Sequence, residues 1–426
     1  MAIRIKRPYS GPAVHQSYKK TTLANGIRVL SEEIASVKSA SIGIWIDTGS
    51  RNETELTNGI SHFIEHMMFK GTEKRNFQQI AQSLESVGGY MNAFTTKEHT
   101  CYYARVLDEN VEKAVDVLSD MVLHSKFPVR EMEKEKTVIL EEIKRSEDDP
   151  DDLVQEYFEK HLFGGHPFAR PIIGSAENVS RFTRDDLFDY TKKFYANENI
   201  ILAAAGNITH DQMVRLAEKY LVQKKAAGEK FKKFSALKPK LNSQEYSKPI
   251  QQAHLCTGTI AFSVHNKMRY PALVMNSVLG DGMSSRLFQQ IREKHGLAYS
   301  VYSFLGLMKD TGSFGIYVGT DKKSVQKALD LSYKELVKLK TKLLATSELQ
   351  RAKAQLKGSM LLSLESTSNR MMRLANGELY YGEYTPLDSI VNNIDAVTIE
   401  EVQAVSHQLF DIEKFTTVIL NPELKN

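Results

Sequence analysis

Three polar side chains within five residues could bind and use a metal ion. His62, Glu65 and His66 stand at positions i, i+3 and i+4, so a helix would bring them to one face. Two imidazoles one turn apart are a common pair of nitrogen ligands for Zn²⁺, and a nearby carboxylate can take a proton from a water at the metal. The segment 59–69 therefore predicts a helix with a metal-binding face. A catalytic zinc also needs a third protein ligand.

A second predicted helix, Glu131 to Glu147, offers that third ligand. Glu135 and Glu142 are seven residues apart, and we place them with Val138 and Ile139 on the apolar face of this helix. Two carboxylates on a core-facing stripe are costly unless a cation or hydrogen-bond donors satisfy them. The helix alone is equally compatible with a metal site and with acids that turn inward to form salt bridges.

The elements around these two helices follow patterns typical of an α+β fold. The helices are grouped after strands, which favours α+β layers over a doubly wound sheet. Extended patterns lie at Gly26–Leu30, Ala40–Thr48, Tyr90–Thr95, Thr100–Leu107 and Ile200–Ala205, and further helical patterns at Phe77–Val87, Asn110–His124, Leu153–Phe163 and Arg184–Tyr195.

The second half of the chain repeats the pattern of the first. Thr183 and Thr398, 215 residues apart, each precede a helix with an acidic first turn and then an apolar strand. We therefore predict two duplicated α+β domains, each a mostly antiparallel sheet packed with helices. The counterpart of His62 falls near Ser277, where no His-x-x-Glu-His occurs. One metal site per chain is expected.

Domain boundaries follow from this repeat and from a lysine-rich stretch near the middle of the chain. The stretch contains Gly228 and Pro239 and is typical of a solvated linker. We predict an amino-terminal arm at 1–19, a zinc-bearing catalytic domain at 20–222, a linker at 223–248 and a second domain without the metal motif at 249–426.

Composition narrows the class of protein further. Apolar residues make up 42% of the chain and charged residues 25%, as in folded globular proteins. The net charge of +4 gives no sign of a nucleic-acid partner, and no run of 18 apolar residues could span a membrane. Cys101 and Cys256 lack the spacing of a disulfide framework. Without a secretory h-region, we expect a cytoplasmic protein.

Three stretches of the chain resemble the pitrilysin-type (inverzincin) zinc metallopeptidases. They are His62 to Thr72, Asn92 to Thr95 and Glu133 to Glu142. The chain is most similar to short two-domain members, such as the β subunit of the mitochondrial processing peptidase and its bacterial homologues. The resemblance runs from about Lys20 to the carboxyl terminus.

For the metal site, the resemblance implies one Zn²⁺ per chain, with His62, His66 and Glu142 as ligands. It implies Glu65 as the general base and Glu135 as a supporting acid. Such a base takes a proton from the attacking water and passes it to the leaving amine. Which histidine Glu135 supports does not follow from the sequence.

The resemblance also implies substrate-binding residues. Asn92, Ala93 and Phe94 resemble the edge strand that pairs with the peptide substrate by strand addition. Arg292 and Tyr299 resemble an arginine and tyrosine pair that holds the substrate and steadies the oxyanion. Without the resemblance they would be interpreted as a surface cation and a strand aromatic. Because one zinc motif and one such pair occur in a half-length chain, we expect a homodimer with Arg292 and Tyr299 supplied in trans.

Together these features predict a zinc-dependent peptidase. Its substrates would be peptide bonds of unfolded peptides or small proteins inside an enclosed chamber. The alternative is a non-catalytic core or assembly subunit with the same fold, which would have no need of the full set of metal ligands. Zinc held only for structure is a third possibility, but three protein ligands leave a fourth position for water.

Overall fold

The computed structural model describes residues 18–222, 229, 234 and 237–423. Most of the predicted amino-terminal arm and part of the predicted linker lie outside these residues. The described chain forms two sheets with helices packed against them. Over the described ranges, no helix is both long and apolar enough to cross a membrane.

The first half of the chain contributes one six-stranded sheet. Its strands are β1 Tyr18–Thr22, β2 Arg28–Glu33, β3 Ser39–Ile46, β4 Tyr90–Thr95, β5 Thr100–Leu107 and β6 Ile200–Gly206. Their order in the sheet is β1-β2-β6-β3-β5-β4. Only β2 and β6 run parallel, and the other neighbours are antiparallel. The strand β4 therefore lies at one edge of the sheet.

The second half forms a five-stranded sheet of the same design. Its strands are β7 Asn242–Lys248, β8 Ala253–Ala261, β9 Ala298–Leu307, β10 Gly312–Thr320 and β11 Thr416–Pro422. The order β7-β11-β8-β10-β9 matches β2-β6-β3-β5-β4 strand for strand. The pair β7 and β11 is parallel, as β2 and β6 are. The predicted α+β fold of two duplicated, mostly antiparallel domains is confirmed.

Helices connect the strands in both halves. They are α1 Ile60–Met68, α2 Phe77–Glu85, α3 Val111–His124, α4 Val129–Asp148, α5 Pro150–Phe163, α6 Ala176–Arg181, α7 Arg184–Phe194, α8 His210–Tyr220, α9 Arg269–Gly280, α10 Val325–Thr341, α11 Thr346–Ser363, α12 Thr367–Tyr381, α13 Leu387–Ala396 and α14 Ile399–Leu409. Thr183 and Thr398, which the repeat singled out, both cap a helix through a capping box, at α7 and α14.

Each half provides one helix that packs on the sheet of the other half. Val154 and Phe158 of α5 pack in a buried cluster with Cys256 and other residues of the second sheet. Met371 and Ala375 of α12 pack in the same way with Trp45, Cys101 and other residues of the first sheet. These two exchanged helices join the halves through apolar cores.

Two edge strands depart from the sequence prediction. Asn242–Lys248, assigned above to the linker, is β7, which pairs with β11 along its whole length. Its sequence is polar because much of this edge strand is exposed, and a polar sequence is also typical of a linker. The linker prediction is wrong for these residues. The short lysine-containing strand β1 was not predicted either.

A buried ion cluster fixes the turn that follows β4. Arg51 is only 1% exposed and forms ion pairs with Glu98 and, at 2.8 Å, with Asp310. The backbone N–H of Lys309 donates to Glu98 at 3.2 Å, and its ammonium lies 2.5 Å from Asp47. Buried charges are tolerated when they are paired in this way. The cluster links the turn between β4 and β5 to the turn between β9 and β10.

Candidate metal centre

The helix α1 is preceded by a glycine at its N-cap position and is capped by the carboxylate of Glu53. Gly59 has φ of 97° and offers no side-chain cap. Instead, buried Glu53 accepts hydrogen bonds from the N–H groups of Gly59 at 2.8 Å and Ser61 at 2.9 Å. A side chain at Gly59 would collide with Gly174, since an added Cβ would lie 2.8 Å from its Cα. The start of the metal-binding helix is therefore held firmly in place.

The predicted metal ligands converge at one point between α1 and α4. Glu142 Oε2 lies 3.5 Å from His66 Nε2 and 3.9 Å from His62 Nε2. Ligands about 2.1 Å from a tetrahedral zinc are about 3.4 Å apart, so this spacing suits such an ion. Within the described ranges, this is the one group of three His, Cys, Asp or Glu side chains whose candidate ligand atoms lie within 4.8 Å of one another.

The environment of His62 favours a neutral ligand over a cation. Burial, and next the neighbouring His66, lower the pKa of His62 to about 3. Its Nδ1 atom is buried without a hydrogen-bond partner. The ring therefore remains uncharged at neutral pH, as a metal ligand must be. Together with a second imidazole and a carboxylate, it gives the His₂Glu donor set of catalytic zinc sites. The residues present fit a zinc ion.

Glu135 supports His66 and not His62. His66 Nδ1 donates to Glu135 Oε2 at 3.1 Å, which leaves Nε2 facing Glu142. Lys70 Nζ lies 2.5 Å from the other oxygen of Glu135. Burial would raise the pKa of Glu135, but the hydrogen bonds from His66 and Lys70 outweigh it, and the pKa is lowered. Glu135 is thus a carboxylate that fixes the tautomer of a ligand.

Glu65 lies beside the ligands and is hydrogen-bonded to the edge strand. Thr95 Oγ1, at the end of β4, donates to Glu65 Oε2 at 2.6 Å. Burial raises the pKa of Glu65, and this hydrogen bond acts in the opposite direction. The carboxylate of Glu65 is therefore poised to take up a proton more readily than an exposed glutamate. It also connects the metal ligands to β4.

The other predicted substrate residues fall in two places. Asn92, Ala93 and Phe94 lie on β4, the outermost strand of the first sheet. Tyr299 lies on β9, the corresponding edge strand of the second sheet, and is 77% exposed. The Arg292 guanidinium stacks 4.8 Å from the centre of the Tyr299 ring. Within the described part of the chain, the contacts of Arg292 are with Phe288, Tyr299 and Glu293, away from the candidate metal ligands.

An acidic cleft adjoins the ligand Glu142. Its volume is about 510 Å³, and it is lined by five carboxylates but only two cations. The carboxylates include Asp152 and Glu156 of α5, and burial raises the pKa of both. Such a cleft favours a positively charged ligand. Asp149 and Asp152, which belong to one acidic run of the sequence, both line this cleft.

Several features of the site differ from the sequence prediction or were missed by it. Val138 does not share the buried face of α4, because it is 49% exposed. The buried positions of that helix are Met132, Glu135 and Ile139. Thr95 and Lys70 were not among the predicted site residues. Lys70 follows His66 by four positions, a helical spacing that could have indicated a shared partner.

Comparisons with known proteins agree with this geometry. Residues 28–176 match the family model described as insulinase (peptidase family M16), and residues 181–356 match the peptidase M16 inactive domain. The chain is 42% identical to the uncharacterized zinc protease YmxG of Bacillus subtilis, over 95% of this chain and 98% of the relative. It is 38% identical to the uncharacterized zinc protease ML0855 of Mycobacterium leprae, over 95% and 91%.

Two solved structures share the fold. One is a peptidase M16 inactive domain from Pseudomonas fluorescens, with a TM-score of 0.89 and 22% identity over 96% of this chain and 99% of that chain. The other is a protease from Helicobacter pylori, with the same score and identity over 96% and 100%. The chain belongs to peptidase family M16, and the two relatives described above are named uncharacterized zinc proteases.

Glu135→Gln should weaken zinc binding by about tenfold, because an outer-shell carboxylate raises the basicity of the histidine it holds. Competition with a chromophoric chelator measures the affinity. Glu133→Gln on the same helix is the matched control, since the Glu133 side chain is 61% exposed. Equal zinc affinity in the Glu135 variant and the wild type would show that Glu135 does not tune His66.

Proposed function

We propose that this chain is a zinc-dependent peptidase that hydrolyses unfolded peptides or small proteins. The observation that carries the proposal is the convergence of His62, His66 and Glu142 beside the buried carboxylate of Glu65. Two imidazoles and one carboxylate leave room for a fourth ligand. Membership of a peptidase family supports the same conclusion.

The roles of the side chains follow from their contacts. His62, His66 and Glu142 would hold a zinc ion, and that ion would supply the Lewis acidity for activating a water and polarising the peptide carbonyl. Glu65 takes the proton of the attacking water and delivers it to the leaving amine. Thr95 holds the Glu65 carboxylate in place through its hydrogen bond. Glu135 keeps His66 in the tautomer that presents Nε2.

The edge strand β4 supports binding of an extended peptide. It is the last strand of its sheet and ends at Thr95, next to Glu65. An edge strand offers unpaired main-chain groups to an added strand. The N–H of Ala93 is now bonded at 2.9 Å to the side chain of Asn92, which a substrate could displace. Main-chain pairing would place the scissile bond near Glu65 and would depend little on the amino-acid sequence of the substrate.

The acidic cleft adds a preference for charge. Its carboxylates lie next to Glu142, so a basic side chain near the scissile bond would be bound in preference to a neutral one. With this cleft the peptidase would prefer basic peptides, whereas main-chain pairing alone would give no preference for charge.

Arg292 and Tyr299 complete the proposal through a second copy of the chain. Both residues lie on the second domain, and Arg292 contacts only nearby residues of that domain within the described part of the chain. A homodimer would close a chamber from two halves and bring the pair of one chain to the zinc of the other. A guanidinium and a phenol are suitable donors for the substrate carbonyl and its oxyanion.

A non-catalytic core subunit is the competing function. A scaffold would have no use for a buried base, a supporting carboxylate and three converging ligands, and such a set is not needed for packing. The complete site therefore favours the peptidase.

Glu65→Gln should retain one zinc per chain and lose roughly 10²–10⁴-fold in kcat, because the general base is removed while the ligands remain. Metal analysis and cleavage of a quenched fluorescent peptide containing arginine measure the two effects. Glu85→Gln, an exposed change on α2, serves as the control. Cleavage at the wild-type rate in the Glu65 variant would remove Glu65 from the mechanism.

Replacing the arginine of the peptide by norleucine should reduce kcat/KM about tenfold, because the acidic cleft then loses its positively charged partner.

Mixing Arg292→Ala chains with Glu65→Gln chains should restore about one quarter of the wild-type activity. Half of the dimers would be mixed, and each would contain one complete site with Arg292 from its partner. Native mass spectrometry counts the mixed dimers, and the peptide assay measures the activity. If mixed dimers form and the activity stays at the level of the single variants, Arg292 does not act in trans.

A further inference from the structure

A second cleft, on the other half of the chain, has the same size as the acidic cleft and the opposite charge. Its volume is about 510 Å³, and its walls are formed mainly by α11, α12, the start of α9 and the segment after α12. Its lining contains two arginines, Arg269 and Arg373, and no aspartate or glutamate. Tyrosines, among them Tyr380, Tyr381 and Tyr384, and aliphatic side chains make up most of the rest of the lining.

The two clefts occupy equivalent places in the duplicated fold. The helices α4 and α11 begin at Val129 and Thr346, and the caps of α5 and α12 are Asp149 and Ser366, in both cases 217 residues apart. At the same separation, the acidic-cleft residues Asp152, Glu156 and Glu159 correspond to Asn369, Arg373 and Asn376, which all line the second cleft. The same wall has thus exchanged three carboxylates for a cation and two amides.

Both arginines of the second cleft are held in place without an acidic partner. The Arg373 guanidinium donates to Tyr384 Oη at 3.2 Å and to the carbonyl of Thr385, and it stacks on the Tyr384 ring. Arg269 donates to the carbonyl of Val264 at 3.0 Å and stacks on the Tyr381 ring. The ion pairs of the described residues include neither guanidinium.

Unsatisfied polar atoms also mark this cleft. Arg373 Nε and Asn376 Oδ1 are buried and have no hydrogen-bond partner. Buried polar groups are seldom left without partners in native structures. A guanidinium stacked on an aromatic ring is suited to a carboxylate, which it can bind through two parallel hydrogen bonds. The remaining walls would accept an apolar group.

We propose that this cleft binds the free carboxyl terminus of a peptide substrate whose last residue is apolar or aromatic. The proposal rests on the peptidase function and adds the substrate class. Arg373 and Arg269 bind the terminal carboxylate, and the tyrosine-rich walls bind the last side chain. The acidic cleft binds a basic residue near the scissile bond. The two equivalent clefts therefore select a positive charge near the scissile bond and a negative charge at the carboxyl terminus of the same peptide.

The cleft is connected to the substrate strand by aromatic contacts. The ring of Phe94 on β4 lies 6.1 Å from His99, and His99 lies 6.2 Å from Tyr380 in the cleft wall. The exchanged helix α12, which carries Arg373, packs on the same sheet that ends in β4. These contacts join β4 to the cleft wall on the sheet face against which α12 packs.

The test compares one arginine-containing peptide with an apolar last residue in two forms, the free acid and the carboxyl-terminal amide. With zinc-loaded wild type, kcat/KM for the acid should exceed that for the amide by about tenfold, mainly through KM. Arg373→Gln should reduce this ratio to about one, and Arg373→Glu should invert it. Arg269→Gln should also lower the ratio, which provides a second variant if the first unfolds.

Arg215→Gln, an exposed change on α8, is the matched control and should keep the wild-type ratio. Anisotropy of the labelled peptides with zinc-loaded Glu65→Gln protein measures the same preference as binding, independently of turnover. Equal cleavage of acid and amide by the wild type, or a preference that persists in both arginine variants, would overturn the carboxylate site. Cleavage of the amide with no preference would leave the peptidase function intact, whereas no cleavage of either peptide would reject the peptidase function itself.

Discussion

The candidate site depends on a fixed spacing between α1 and α4. The three donor atoms come from helices that are far apart in sequence, yet they must lie within a few ångströms of a common point. Glu135 contributes to this spacing from α4, because it accepts hydrogen bonds from both His66 and Lys70 at the end of α1. At the other end of α1, Glu53 holds the first N–H groups. A carboxylate thus anchors each end of the metal-binding helix.

This arrangement leaves little unpaired buried charge on His62, Glu135 and Glu142 before a metal binds. His62 is neutral because burial lowers its pKa. Glu135 is ionised and paired with the Lys70 ammonium, so it is not an isolated buried charge. Glu142 is 45% exposed on its side chain and can remain hydrated. The ligands can therefore converge without a large desolvation cost.

Local spacing made part of this account predictable from the sequence. The positions of His62, Glu65 and His66 define a helix face, and the repeat of Thr183 and Thr398 revealed the duplication. The bond between Thr95 and Glu65 could not be predicted, since it joins a strand to a helix through tertiary packing. The same holds for Arg51 and its partners in both halves. Strand β7 was missed because an exposed edge strand has the polar composition of a linker.

Duplication gave the two halves equal architecture and different chemistry. The first half carries the candidate metal ligands and an acidic cleft, and the second half carries a cationic cleft in the equivalent place. The reciprocal packing of α5 and α12 keeps both clefts on one continuous structure. A change of a few side chains on a shared backbone is sufficient to convert an acidic cleft into a cationic one.

The most direct test of the central claim is a crystal structure of the zinc-loaded protein with anomalous data collected at the zinc edge. The account predicts one anomalous peak per chain, about 2.0–2.2 Å from His62 Nε2, His66 Nε2 and a carboxylate oxygen of Glu142. A peak at any other group of residues, or zinc bound by the histidines with Glu142 turned away, would contradict it.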